Sequence, residues 1–316
     1  MSMARLCAFL AIVLACSTPL AQGTWPDRPI QLIVPFPAGG GVDVIARPFA
    51  EIFGELLHQT VVVVPRDGAA GTIGAAAVAS AKPDGYTLAF TPNGPITVQP
   101  HVIASLPYKT DSLVPLCQTF AVQYVLAVRP DSPYKTLHDF VAAAKAQPGK
   151  LTYGFGGVAT APHLAIAQLV IAGNIEMLGV PFRGDPQAIV ALRAGEIDSA
   201  MLNIGGAKAQ GFRTLATFAD TRQAEIADTP TVKELGYPVV SSAFGGLFAP
   251  KGLPPDIASR IESACEKVVA DERYRNAVRL ASQQAVYRDG AQFAQMLADD
   301  YAIKGDIVKR AHVKGQ

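Results

Sequence analysis

The chain has 316 residues with 27 basic and 26 acidic side chains; 50% of it is hydrophobic and 17% charged. That composition excludes a disordered chain, and a formal net charge of +1 excludes the broad basic surface that nucleic acid or an anionic membrane demands. At ~100–200 residues per domain, the length predicts two domains.

The first segment does not belong to the fold. Arg5 gives a positive start, residues 6–15 an apolar stretch, and small residues follow, the order of a secretory signal peptide spanning 1–23. Ten apolar residues are too few to span a bilayer. Cleavage fits after Ser17, Ala21 or Gly23. Lipidation at Cys16, in Val13-Leu14-Ala15-Cys16, is the alternative, although Leu14 suits that box poorly. Either route exports the protein to the periplasm. Cys117 and Cys265 remain in the mature chain, where an oxidising compartment permits a disulfide. Sequence distance says nothing of spatial distance, so two buried free thiols are the simpler expectation. No Cys/His spacing resembles a metal site, and no cofactor is expected.

Residues 31–34 form a short apolar run that Pro35 and Pro37 stop, since proline cannot donate to a strand ladder. Gly39, Gly40 and Gly41 follow, and then a helical pattern with Ile45, Phe49, Ile52, Phe53 and Leu56 on one face. Pro48 inside that helix costs roughly 3 kcal/mol, which predicts a bend or a late start. Strand, glycine loop and helix start together point backbone N–H groups and a helix dipole at a small anion. Neither the dinucleotide fingerprint nor the phosphate-loop lysine is present.

Residues 60–64 read as a strand buried on both faces, 68–74 as a glycine-rich turn into an Ala-rich helix, and 86–90 as a strand ending in a polar loop over 91–99. These are parallel βαβ units, whose ligands sit at the carboxyl ends of strands, where Gly39 to Gly41 and Asn93 fall. Beyond an apolar run at 124–128 and a helix over 137–146, the pattern repeats. A strand at 151–155 leads through Gly156-Gly157-Val158-Ala159-Thr160 into a helix over 162–171, with Thr160 as its N-cap. A strand at 180–182, a helix over 185–194, a strand at 199–203, a run at 244–249 and a helix ending at Ala270 complete the reading. Two glycine loops facing one cleft could hold one anion from both sides.

Several collinear motifs carry a resemblance to a known family. They are Pro26-Asp27-Arg28-Pro29, Val34-Pro35-Phe36-Pro37-Ala38-Gly39-Gly40-Gly41 with Asp43, Gly68-Ala69-Ala70-Gly71-Thr72, Pro83-Asp84-Gly85-Tyr86-Thr87-Leu88, Leu106-Pro107-Tyr108, Val180-Pro181-Phe182-Arg183-Gly184 and Asp228-Thr229-Pro230-Thr231-Val232. Over nearly the whole chain beyond residue 24, it resembles the tripartite tricarboxylate transporter receptors, or Bug receptors. The resemblance implies an α/β, two-lobed periplasmic-binding-protein type II (Venus-flytrap) fold with two crossover strands, near residues 124 and 246. Domain 1 is then 24–124 plus 247–316, and domain 2 is 125–246. It implies a monomeric receptor that binds a small carboxylate and delivers it to the membrane subunits of a tripartite permease, or reports it to a sensor kinase.

Carried over, the ligand-binding residues are Phe36, Ala38, Gly39, Gly40 and Asp43 on one side, with Gly157, Thr160 and His163 on the other. Asp43 lies where it can equally cap the loop, and His163 reads as a packing histidine. Asn93 and Asn203 stand at strand ends. Arg183 could pair with a second carboxylate; its alternatives are a solvated charge or a salt bridge to Asp185. Many relatives carry Asp-Asn where this chain has Leu202-Asn203, which puts recognition of a ligand amino group in doubt. The second loop has fewer hydroxyls than the family pattern, which favours a medium-chain or aromatic acid. The rival class is an α/β enzyme, for which no nucleophile elbow or catalytic constellation stands in context.

Overall fold

The computed structural model describes residues 25–311. The signal peptide, its cleavage points and Cys16 lie outside the described residues. Strand β1 (Ile30–Val34) hides all but Gln31, as a parallel strand between helices does. Helix α1 (Asp43–Leu57) starts two residues beyond Gly41 and runs on through Pro48, which stays inside its second turn, so the start is not delayed past the proline. Its buried stripe is Ile45, Phe49, Ile52, Phe53 and Leu57. The expected Leu56 is exposed, since the 3.6-residue period carries the stripe from Phe53 to Leu57.

Strand β2 (Val61–Pro65) lies at the sheet edge, pairs only with β1 and is half exposed. The expectation of burial on both faces is therefore corrected: β-branched residues suit a pleated edge as well as a core strand. A turn at Ala69–Gly71 leads into α2 (Thr72–Ala79), and β3 (Thr87–Pro92) follows. The polar loop expected over 91–99 is instead two short helices, α3 (Gly94–Thr97) and α4 (Gln99–Val102), each with a proline in its first turn. Asn93, Thr97 and Gln99 are buried there.

Strand β4 (Leu113–Val128) is 16 residues long, whereas the sequence offered only its last five as a strand. Pro115 is tolerated because the register shifts beside it. Helix α5 (Leu137–Ala146) begins in a reciprocal cap between Thr136 and Asp139. There follow β5 (Thr152–Phe155), α6 (Ala161–Gly173), β6 (Leu178–Pro181), α7 (Asp185–Ala194), β7 (Ser199–Asn203), α8 (Ile204–Ala209) and β8 (Arg213–Thr217). The chain then runs through β9 (Ser242–Pro250), α9 (Pro255–Ala270), α10 (Glu272–Leu280), β10 (Gln284–Asp289) and α11 (Gly290–Arg310).

The strand order is β2-β1-β3-β9-β4-β7-β5-β6, with β8 and β10 also on β4. Two parallel α/β units thus hang on one long antiparallel strand. Along β4 the partner changes between adjacent residues: Gln123 faces Ser242 of β9, and Tyr124 faces Asn203 of β7. One lobe packs its core around Phe49, Phe90, Phe120 and Tyr274, and the other around Phe140, Ile166, Met201 and Phe218.

Cys117 on β4 and Cys265 on α9 form a disulfide, with Cα atoms 6.6 Å apart. This corrects the expectation of two free thiols, because α9 packs directly on β4. No helix among the described residues is long and apolar enough to cross a membrane.

Candidate functional site

The first glycine loop leaves the carboxyl end of β1. Gly39 adopts φ +77°, a left-handed conformation that favours glycine. Its N–H donates to Asp43 Oδ2 at 2.8 Å, and Gly40 N–H donates to Pro37 O at 3.1 Å. Asp43 is buried and gripped by Arg47, whose Nε and Nη2 donate to the carboxylate at 2.9 and 3.0 Å. Of the two roles open to Asp43, the geometry gives it the cap. Two of the three expected cradle groups are thereby spent inside the loop. The N–H groups of Ala38, Gly41, Val42 and Asp43 make no hydrogen bond among the described residues, so Gly41 alone of the expected cradle stays open, with Ala38 before the glycines and Val42 and Asp43 after them. Half-buried Phe36 backs the loop, its ring so close to Gly71 that a Cβ there would sit 3.3 Å away.

The second loop leaves β5 in the same way. Gly157 takes φ +99°, and its N–H bonds Phe155 O at 3.0 Å. Thr160 stands at the N-cap position of α6, yet its hydroxyl donates to Gly157 O at 2.8 Å rather than capping the helix. His163 Nδ1 accepts the Ala159 N–H at 3.1 Å, and its ring stacks on Phe155 at 4.2 Å. Burial lowers its pKa to about 4, so the ring is neutral at pH 7 and carries its proton on Nε2. It is a packing and capping histidine. Among the described residues Val158, Thr160 and Ala161 keep open N–H groups.

Of the remaining candidates, Asn203 and Asn93 are engaged elsewhere and Arg183 is not. Arg183 is exposed, and its guanidinium makes no ion pair with Asp185 among the described residues. Asp185 instead accepts from Asn203, at 3.2 Å from the backbone N–H and 2.8 Å from Nδ2. Burial raises its pKa. Asn203 Oδ1 caps α8 at Gly206 N–H, 2.7 Å away, so both ends of its amide are used. Asn93 is buried and donates to Asp300 Oδ2 at 2.7 Å. Beside Asp300 lies the buried Lys304, whose Nζ donates to Ser241 Oγ at 3.1 Å and whose pKa is lowered by desolvation. Asn93 thus ties β3 to α11 at the point where the chain enters β9.

The model of the tripartite tricarboxylate transporter family receptor matches residues 45–313. The chain belongs to that family. It is 35% identical to a UPF0065 protein of Bordetella pertussis over 83% of each chain. Among solved structures, a ligand-free TctC solute-binding protein from Polaromonas is 30% identical, with a TM-score of 0.80 over 91% of this chain and 100% of that one. MatC from Rhodopseudomonas palustris, solved with bound malate, is 26% identical with a TM-score of 0.77 over 90% of this chain and 100% of that one. The fold is the two-lobed one of periplasmic solute receptors, and the family and fold are those of binding proteins, not enzymes.

Two residues of this receptor have no place in the sequence reading, and a third, Asp185, takes a partner other than the Arg183 suggested there. Gln99 Nε2 donates to Ala159 O at 3.3 Å, joining α4 to the second loop across the lobes. Gln283 Nε2 donates to Gly41 O at 3.0 Å and so steadies the first loop. Asp185 places a carboxylate beside Asn203, where the expected acid at 202 is a buried leucine. Single glutamines and an aspartate at a helix start give no motif signal; only the meeting of distant segments reveals them.

Proposed function

We propose that this receptor binds a small carboxylate between the two glycine loops and delivers it to the membrane subunits of a tripartite permease from the periplasm. The observation that carries the reading is the pair of loops, each presenting unpartnered N–H groups at a helix N-terminus, on lobes joined through β4. A carboxylate at such a place gains several charge-assisted hydrogen bonds and the favourable end of a helix dipole. The malate bound by MatC supports the same class of ligand. The lobes of the proposal are 24–124 with 247–316, and 125–246. The closed arrangement is favoured when the ligand touches both. Arg183, exposed and without an ion pair among the described residues, is available to a second carboxylate.

The test is native mass spectrometry of the protein purified from periplasm, then a thermal-shift screen of mono- and dicarboxylates after the protein is stripped. A co-purified acid that raises the melting temperature on return is the expected outcome. A stripped protein indifferent to every carboxylate would refute the proposal.

A further inference from the structure

Beside the first loop, a cavity of ≈ 120 Å³ opens between the lobes. Its wall includes Gln123 of β4, Gly205 and Lys208 of α8, and Ser282, Gln283 and Gln284 around the start of β10. At ~30 Å³ per molecule it has room for about four waters, or for one polar group and the few atoms that carry it. The lobes meet at its rim: Gln284 Nε2 donates to Gln223 Oε1 at 2.6 Å, and a side chain at Gly205 would collide with Ser282.

Two acceptors in this wall have no donor. Gln123 Oε1 and Gln283 Oε1 are both buried and without a hydrogen bond among the described residues. The Gln283 amide cannot turn over to relieve this. Its Nε2 is committed to Gly41 O, and a flip would set two oxygens against each other. The nearby ammonium is also committed, since Lys208 Nζ donates to Glu225 O at 3.0 Å. A buried carbonyl oxygen without a donor is costly, and two in one small cavity mark it as a place for a hydrogen-bond donor, water before a ligand arrives and a ligand group afterwards. Gln283 links this cavity to the first loop, because one end of its amide holds Gly41 and the other faces the space.

We infer that the cavity is a subsite for a hydrogen-bond-donating group of the ligand, a hydroxyl or ammonium, whose protons Gln123 Oε1 and Gln283 Oε1 accept. The inference rests on the proposed carboxylate site and narrows its ligand class to hydroxy- or amino-carboxylates. It departs from the apolar acid that the loop composition favours. Both acceptors belong to the first lobe, and Gly205 and Lys208 of α8 close the cavity from the second.

The test is calorimetry on the stripped, unaltered protein with matched pairs: butanoate and hexanoate against their ω-hydroxy and ω-amino counterparts, and succinate against malate. In at least one pair the donor-bearing acid binds roughly tenfold tighter, the worth of one or two buried hydrogen bonds. In Gln123→Met, which keeps the Gln283 acceptor, that ratio falls to about threefold. Carboxylates that bind without any preference for the donor overturn the subsite and leave the receptor reading standing. A preference undiminished in Gln123→Met overturns the assignment to this cavity. Absence of binding by every carboxylate overturns both readings. The wild-type comparison decides whether a donor preference exists, and Gln123→Leu replaces Gln123→Met in the assignment if the latter does not fold.

Discussion

Cys117 and Cys265 close a loop of 148 residues that contains every strand from β5 to β8. Both are fully buried beside Leu116, Phe120, Ile261 and Val268, so replacing them by alanine removes the cross-link with little change in volume. In the chain-entropy account, a cross-link of this span denies the unfolded chain about 17 cal/mol/K, or about 5 kcal/mol at 25 °C. At roughly 2–4 °C per kcal/mol for a chain somewhat smaller than this one, Cys117→Ala/Cys265→Ala melts about 10–20 °C below the oxidised protein. Circular dichroism melts of the two forms measure the difference, with thiol titration under denaturant to establish the starting state. Free thiols in protein purified from the periplasm, or melting temperatures within about two degrees of each other, would refute the reasoning.

Three other predictions follow from the two loops. Asp43→Ala frees Gly39 N–H and leaves Arg47 unpaired; it lowers stability by about 2 kcal/mol, given that the Arg47 side is exposed. It also weakens carboxylate binding, and a melting temperature unchanged within about a degree refutes the capping role. His163 has a folded-state pKa below its unfolded value, so the unfolded chain takes up its proton first and stability falls as pH drops from about 6.5 toward 4. The loss at pH 5 is about 2 kcal/mol. It shows as a slope in urea midpoints that His163→Gln flattens, and an equal slope in the variant removes the assignment. Gln99→Ala deletes the bond from α4 to Ala159 O and costs ~1 kcal/mol in the arrangement described, weakening carboxylate affinity roughly fivefold by titration. Unchanged affinity would show that the contact plays no part in holding the lobes together.

Elements whose signals are local were legible in the sequence. Helices Leu137–Ala146 and Asp185–Ala194 and strand Ser199–Asn203 begin and end where periodicity, caps and prolines place them. Both glycine junctions were legible for the same reason: strand breakers, positive φ and a helix start all act within a few residues. The full length of β4 was not, because Pro115, Gln118 and Gln123 interrupt its apolar pattern, and only pairing with β9, β10, β7 and β8 makes it one strand. Whether β2 is central or an edge depends on which strand lies beyond it, a fact no local pattern contains.

The site divides in the same way. The sequence by itself determined that two helix starts with glycine loops would present backbone N–H groups, since that follows from local dihedrals and dipoles. Only the tertiary structure decided which of those groups are free. Asp43 consumes Gly39 N–H from within the loop, and His163 consumes Ala159 N–H. Gln283 arrives from 242 residues away to hold Gly41. The disulfide and the two unpartnered glutamine oxygens belong to the same class. A hydrogen bond or a covalent link is settled by which atoms meet in space, and chain connectivity fixes that only for near neighbours.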